Sequence, residues 1–455
     1  MTHALDLLRK YNVPGPRYTS YPTVPYWSET PSQRQWIESI GKALVQGKAQ
    51  GIGAAIYVHI PFCKALCTYC GCNTRITRNP KVALPYIHSV LKEWELYLSQ
   101  LNQNVLLSEL HLGGGTPTFL TPEELEKLVT GIISRVSIAR DAEFSLEADP
   151  RVTTSEHLQV LYRLGFRRLS LGVQDFDPAV QAIVHRVQSV NDVRVLTEKA
   201  REIGFQGINY DLIYGLPLQT LKSIEGTMEA VRQLKPDRIA FYAYAHVPWI
   251  KPGQRRFTEA DLPLGDAKRA LYELGREMLE EVGYHEVGMD HFALETDSLW
   301  KAVTEKTLHR NFMGYTPRQV APLIGLGVSA IGDSWNAFAQ NEKLVETYQT
   351  RIEQGELPLH RGHVLSSEDL ILRRHILNLM TRMHTHWDSD PDSVDYLSDI
   401  HGRLAELVKD GLIHLSEKSC LITEQGRPFL RNICMAFDAR LIRQAPATTL
   451  FSRTI

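Results

Sequence analysis

The sequence predicts an α/β protein built on a partial (β/α)6 barrel, with an N-terminal extension and a smaller, mainly helical C-terminal domain. Three observations carry this expectation. Between about residues 54 and 244, apolar β-branched runs alternate with helical patterns. Strands separated by helices make parallel sheet, because a parallel crossover needs about a dozen residues or more. Ahead of that rhythm, Pro14-Gly15-Pro16-Arg17-Tyr18-Thr19-Ser20-Tyr21-Pro22 cannot be helix, since its prolines forbid it and its aromatic rings need something to pack on. Behind it, the last hundred or so residues change to helices followed by a short hairpin.

The strands are expected at 55–60, 106–112, 143–148, 168–173, 208–213 and 238–244, and the helices between them at 84–101, 122–136, 155–164, 190–203 and 223–234. Six such units are two short of a closed eightfold barrel, and ligands then belong at the C-terminal strand ends. Cys63 follows the first strand, Gly113-Gly114-Gly115 ends the second, Glu147 the third, Gln174 the fourth and Asp211 the fifth. Residues 255–340 add helical segments and a Gly325-Leu326-Gly327 run. Helices at 366–380 and 400–410, then a hairpin from 411–415 and 420–423, suggest a winged-helix-like module. The expected division is an extension at 1–50 that folds over the pocket as a lid, a catalytic barrel with its extension at 51–340, and a C-terminal domain at 341–455.

Lysine and arginine total 50 against 52 acidic residues, a net charge of -2, which excludes a polybasic surface for nucleic acid or anionic lipid. The N-terminal residues lack the apolar core of a signal peptide, and no apolar run nears the roughly 20 residues of a membrane span. A cytoplasmic protein, monomeric and without a nucleic-acid partner, is expected. Of six cysteines, Cys63, Cys67, Cys70 and Cys72 fall within ten residues, while Cys420 and Cys434 stand apart. In a chain of this length such clustering argues for metal or redox chemistry. Cys420 and Cys434 read as buried small apolar residues.

Cys63-x-x-x-Cys67-x-x-Cys70 after a strand offers three thiolates, each able to bind one iron of a [4Fe–4S] cluster; a cubane usually takes four such ligands, so one iron stays open to an outside ligand. The alternative is zinc, held by these cysteines with Cys72 or His59, although structural zinc usually joins two ligand pairs set well apart. Cys72 reads as a free thiol or a group near substrate. Gly113-Gly114-Gly115 offers unobstructed backbone amides and carbonyls to a charged ligand, or is a plain tight turn. Tyr57 is either a site residue or a core aromatic. Leu146 and Ala148 flank Glu147, which suggests an inward carboxylate that needs a partner.

Tyr57-Val58-His59-Ile60-Pro61-Phe62-Cys63, the loop through Cys72-Asn73, and Gly113-Gly114-Gly115-Thr116-Pro117-Thr118 together resemble the radical S-adenosylmethionine superfamily. The segments 15–23, 172–176, 211–217, 288–292, 309–312 and 431–435 narrow the resemblance to the family of oxygen-independent coproporphyrinogen III oxidases. The resemblance implies one [4Fe–4S] cluster on Cys63, Cys67 and Cys70 and two molecules of S-adenosylmethionine. Tyr57, Glu147 and Ile331 would contact the first molecule, with Gly114 among the cofactor-binding glycines. Tyr69, Gly115, Thr116, Gln174, Arg186, Asp211 and the backbone at Ala245 would hold the second. It further implies a porphyrinogen substrate, two of whose propionates become vinyl groups, and partners that donate and accept electrons. Arg17, His309 and Arg310 are candidates to meet the propionates. The chain departs from the family pattern at Pro317-Arg318-Gln319 and at Cys434-Met435-Ala436, neither of which touches the cysteine motif. The rival reading is a radical-enzyme relative that carries haem as a chaperone; such relatives lack Cys72 after Gly71 and the Arg17–Thr23 segment.

Overall fold

The computed structural model describes residues 2–387, 399–444 and 450–454. Six strands form its centre: β1 (Ala54–Ile60), β2 (Leu106–Gly114), β3 (Ser137–Ala148), β4 (Phe166–Gln174), β5 (Gly207–Tyr214) and β6 (Arg238–Ala243). They pair in chain order, all parallel, with Val58 opposite Leu112, Leu112 opposite Leu146 and Tyr210 opposite Ile239. A parallel sheet is covered on both faces, and β1 reads accordingly: in Ala-Ala-Ile-Tyr-Val-His-Ile every residue but Tyr57 is buried.

Four of the crossover helices start where the sequence can satisfy their free N–H groups. Thr121 Oγ1 accepts from Glu124 N while the Glu124 carboxylate accepts from Thr121 N, and Pro122 fills the first helical position. Thr154 with His157, Ser189 with Asp192 and Thr220 with Ser223 repeat this reciprocal cap before the helices Ser155–Arg163, Val190–Ile203 and Leu221–Leu234. These helices bury Leu128, Leu161, Leu196 and Val231 against the sheet. Strand and helix expectations hold to within a few residues except β3, which begins six residues earlier than expected, at Ser137.

The sheet is larger than six strands. Leu323–Leu326 adds a seventh parallel strand on the free side of β1, pairing Tyr57 with Gly325. Antiparallel strands Ile331–Asp333, Ala337–Asn341 and Leu359–Val364 continue that edge, and His291–Leu294 with Tyr284–Val287 continues the other. The boundary expected at 340 therefore needs correction: the main sheet runs on to Val364, because the wholly buried strand Ala337–Asn341 pairs with Leu359–Val364.

Beyond it, helices Ser367–Arg382 and Ile400–Lys409 precede the expected hairpin, Ile413–Leu415 with Ser419–Ile422, and His384–His386 adds a third strand. The N-terminal extension packs on this region. Leu7, Tyr11, Tyr18 and Tyr21 share one apolar core with Leu372, Ile376, Cys420 and Cys434. Arg431 donates to the carbonyls of Gly15 and Pro16, and Tyr18 Oη lies 3.0 Å from Asp438 Oδ2. The proline-rich segment is thus clipped to the C-terminal region, and none of residues 6–50 lines the cavity described next. Cys420 and Cys434 are buried, as expected. No helix among the described residues is long and apolar enough to cross a membrane.

Candidate active site

A cavity of about 570 Å³ opens at the C-terminal ends of β1–β5. Cys63, Cys67, Tyr69, Cys70, Cys72, Gly114, Gly115, Thr116, Glu147, Gln174, Arg186 and Asp211 all line it. Gly114, Glu147 and Gln174 lie at the ends of their strands and Asp211 within β5, while the cysteines and Arg186 reach the cavity from the loops that follow β1 and β4. Tyr57, Ala245 and Ile331 do not line it. Tyr57 lies behind His111, its ring stacked on the imidazole at 5.8 Å and 15°. The Ala245 carbonyl accepts from Gln254 Nε2 at 3.2 Å, and Ile331 belongs to the antiparallel extension.

The three thiols meet different surroundings. Cys63 Sγ is 3.3 Å from Thr116 Oγ1, and burial pushes its thiol up to about 11. A hydrogen bond with Cys72 holds Cys70 below the ordinary thiol range. Cys67 Sγ faces Arg186 Nη1 at 3.6 Å and Arg151 Nη2 at 3.7 Å. Among the described residues, no group of three or more His, Cys, Asp or Glu side chains closes on one point to grip a single ion. The thiols instead border the cavity along one loop, which suits a group that meets each of them at its own corner.

The glycine run is committed to close approach. Gly114 has φ +112°, and a Cβ there would lie 2.7 Å from the His59 ring. Its N–H donates to Glu147 Oε2 at 3.0 Å, and the Gly115 N–H donates to the Ile60 carbonyl at 2.7 Å. Both amides expected to be open to a ligand are therefore engaged. Burial opposes the charge on Glu147, but His111 and the Gly114 N–H outweigh it and hold the carboxyl below its ordinary range.

Asp211 differs. Burial, with the Glu147 charge adding, pushes it up to about 6 against hydrogen bonds from Ser170 (2.9 Å) and Asn209 (2.8 Å). Asn209 spends its amide N–H groups on Ser170 and Asp211, and its Oδ1 is buried without a partner. A raised carboxylate met only by neutral donors, beside an orphaned carbonyl, is an acceptor pair that an ammonium fits. Of the candidate propionate contacts, Arg17 pairs with Asp290 at 3.1 Å. His309 and Arg310 are both buried, and Arg310 keeps Nε and Nη1 without a partner.

Sequence reasoning missed His111, Asn209, Asp149 and Arg151, all of which line the cavity. A lone His or Asn inside a strand carries no local signal. Asp149-Pro150-Arg151, directly after Glu147 at a strand end, carried one.

Three clustered thiols at the rim of an open parallel barrel define a radical S-adenosylmethionine protein, and residues 57–231 match the family model described as Radical SAM superfamily. The chain is 39% identical to the oxygen-independent coproporphyrinogen III oxidase of Escherichia coli over 458 residues, covering 99% of this chain and 98% of that one. It is 38% identical to the Pseudomonas aeruginosa protein of the same name over 448 residues, covering 96% and 95%. A solved structure of the Escherichia coli coproporphyrinogen III oxidase, described as a radical SAM enzyme, superposes with a TM-score of 0.87 at 39% identity, covering 93% of this chain and 97% of that one. The chain belongs to the family of oxygen-independent coproporphyrinogen III oxidases.

Proposed function

We propose that this chain catalyses the reaction for which its family is named, the oxygen-independent oxidation of coproporphyrinogen III, in which two propionates lose carbon dioxide and become vinyl groups. The observation that supports it most is the convergence of Cys63, Cys67 and Cys70 with Gly114, Glu147 and Asp211 on one rim cavity. In this reading Cys63, Cys67 and Cys70 would hold a [4Fe–4S] cluster at the cavity, with S-adenosylmethionine beside it. Together, when bound, these groups supply a carbon-centred radical that takes a hydrogen atom from the β-carbon of a substrate propionate.

The chain's own residues bind, orient and exclude water. Glu147, kept ionised by His111, is an acceptor for the first S-adenosylmethionine, and Tyr57 acts on that site by fixing the His111 ring. Tyr69, Gly115, Thr116, Gln174, Arg186 and Asp211 border the place of a second molecule. Asp211 and Asn209 Oδ1 receive an ammonium there, and Arg186 faces a carboxylate. Ala245 and Ile331 act only from behind the cavity wall. Phe119, Leu146, Leu169 and Met313 supply apolar lining that keeps water from a radical. The cavity volume falls within the roughly 300–1,000 Å³ usual for small-molecule sites. A reducing cytoplasm keeps the thiols free for iron.

The test is anaerobic incubation of the reconstituted chain with dithionite, S-adenosylmethionine and coproporphyrinogen III. Vinyl product together with 5′-deoxyadenosine is expected. Formation of 5′-deoxyadenosine with the porphyrinogen unchanged contradicts the substrate.

A further inference from the structure

Within the cysteine loop, Cys67 is the thiol with guanidinium groups in contact with its sulfur. Arg151 Nη2 and Arg186 Nη1 lie 3.7 Å and 3.6 Å from its sulfur, within hydrogen-bonding range for a thiolate. One carboxylate sets both guanidinium groups: Asp149 Oδ2 is 2.6 Å from Arg151 Nη2 and 3.3 Å from Arg186 Nη1. Asp149 and Arg186 are each only 8% exposed, and Arg186 Nε also donates to the Gly172 carbonyl at 3.0 Å. The groups are therefore fixed at the sulfur. Two positive charges against one negative leave a net positive charge beside Cys67. Cys63 has a hydroxyl at its sulfur instead.

We infer that Arg151 and Arg186, held by Asp149, clamp the Cys67 sulfur and raise the reduction potential of the cluster that the loop carries. The inference rests on the cluster reading above and deepens it. Reducing the cluster adds one electron from an external low-potential donor, with no bond made or broken and no proton taken up. The added negative charge spreads onto the sulfurs. N–H groups and a net positive charge at one sulfur stabilise the reduced state more than the oxidised one. In a partly buried site that difference is weakly screened. Both arginines are positioning residues that act through Cys67. Arg151 gives the cleaner test, because the resemblance gives it no part in holding S-adenosylmethionine.

The experiment is a redox titration of the anaerobically reconstituted full chain, followed by the electron paramagnetic resonance of the reduced cluster. Arg151→Met is expected to move the midpoint to more negative potential, so that several-fold less cluster is reduced at a fixed donor potential. Arg151→Lys, which keeps the charge, should recover most of that loss. Arg151→Gln, which keeps N–H groups on a side chain of similar reach without the charge, should also move the midpoint to more negative potential, and it carries the test if Arg151→Met does not load. An unchanged midpoint in a fully loaded Arg151→Met or Arg151→Gln chain overturns the inference. So does an Arg151→Lys midpoint as negative as that of Arg151→Met, since packing rather than charge would then be responsible. A wild-type chain that takes up no iron and sulfide sinks the functional reading itself; a loaded cluster with unshifted midpoints sinks the clamp alone.

Discussion

The two ends of the barrel use the same residue types to opposite effect. At the floor, where the strands begin, Asp297 takes Arg168 Nη2 at 2.8 Å, Arg238 Nη2 at 2.7 Å and the Leu299 N–H at 2.7 Å, and Arg168 also nears Glu143 at 3.5 Å. Burial opposes the Asp297 charge, yet the two arginines bring it down to about 2. At the rim, Asp211 has only a hydroxyl and an amide, rises to about 6, and stands beside the unpartnered Asn209 Oδ1. A closed network holds the fold; at the rim, a carboxylate met only by neutral donors beside an unpartnered carbonyl leaves room for a cationic ligand group.

The sharpest way to break this comparison is at the loop. Cys63→Ala, Cys67→Ala and Cys70→Ala should each lose the brown chromophore and all turnover while the circular dichroism stays that of the parent, because the three cysteines lie outside the main sheet, Cys63 in a two-residue strand paired with Arg75–Ile76. Next comes Asp297→Ala, which leaves two buried guanidinium groups without their anion and should lower stability by about 3–5 kcal/mol, read from the urea midpoint. Asp211→Asn should shift the same midpoint little and weaken S-adenosylmethionine binding instead. An equal loss of stability in both variants would erase the distinction between floor and rim.

Gly114→Ala forces a Cβ onto the His59 ring at φ +112° and should weaken S-adenosylmethionine binding about tenfold or more, measured by equilibrium dialysis. The smallest effect is in pH. An Asp211 carboxyl at about 6 takes a proton below that pH and then cannot receive an ammonium, so affinity should fall as pH drops through 6 and hold steady above it. Asp211→Asn should flatten that slope. The sign for folding is the reverse of a salt-bridged acid. With the folded value raised, this group favours the fold at low pH and loses that contribution between about 3.8 and 6 as pH rises.

The barrel was legible because apolar runs between Ala54 and Ala243 alternate with helical patterns, four of which open on a side-chain cap, both local signals. The sheet's outer edges were not. Ile331–Asp333 and Tyr284–Val287 have three and four residues, too few for a period to register, and pairing with their neighbours in the sheet makes them strands. The clip between the Pro14–Pro22 segment and the C-terminal region joins residues more than four hundred apart, which no local pattern encodes. In the site, the thiols and glycines stood out by spacing, whereas His111 and Asn209 take their meaning from neighbours on adjoining strands.

The central claim is that three thiolates leave one iron corner open to S-adenosylmethionine. Its most direct test is the electron paramagnetic resonance of the dithionite-reduced, reconstituted chain, before and after S-adenosylmethionine is added. The account predicts about four irons and four sulfides per chain, and a reduced-cluster signal whose g-values move on addition. A colourless chain holding one zinc, or a cluster signal that S-adenosylmethionine leaves unmoved, would contradict it.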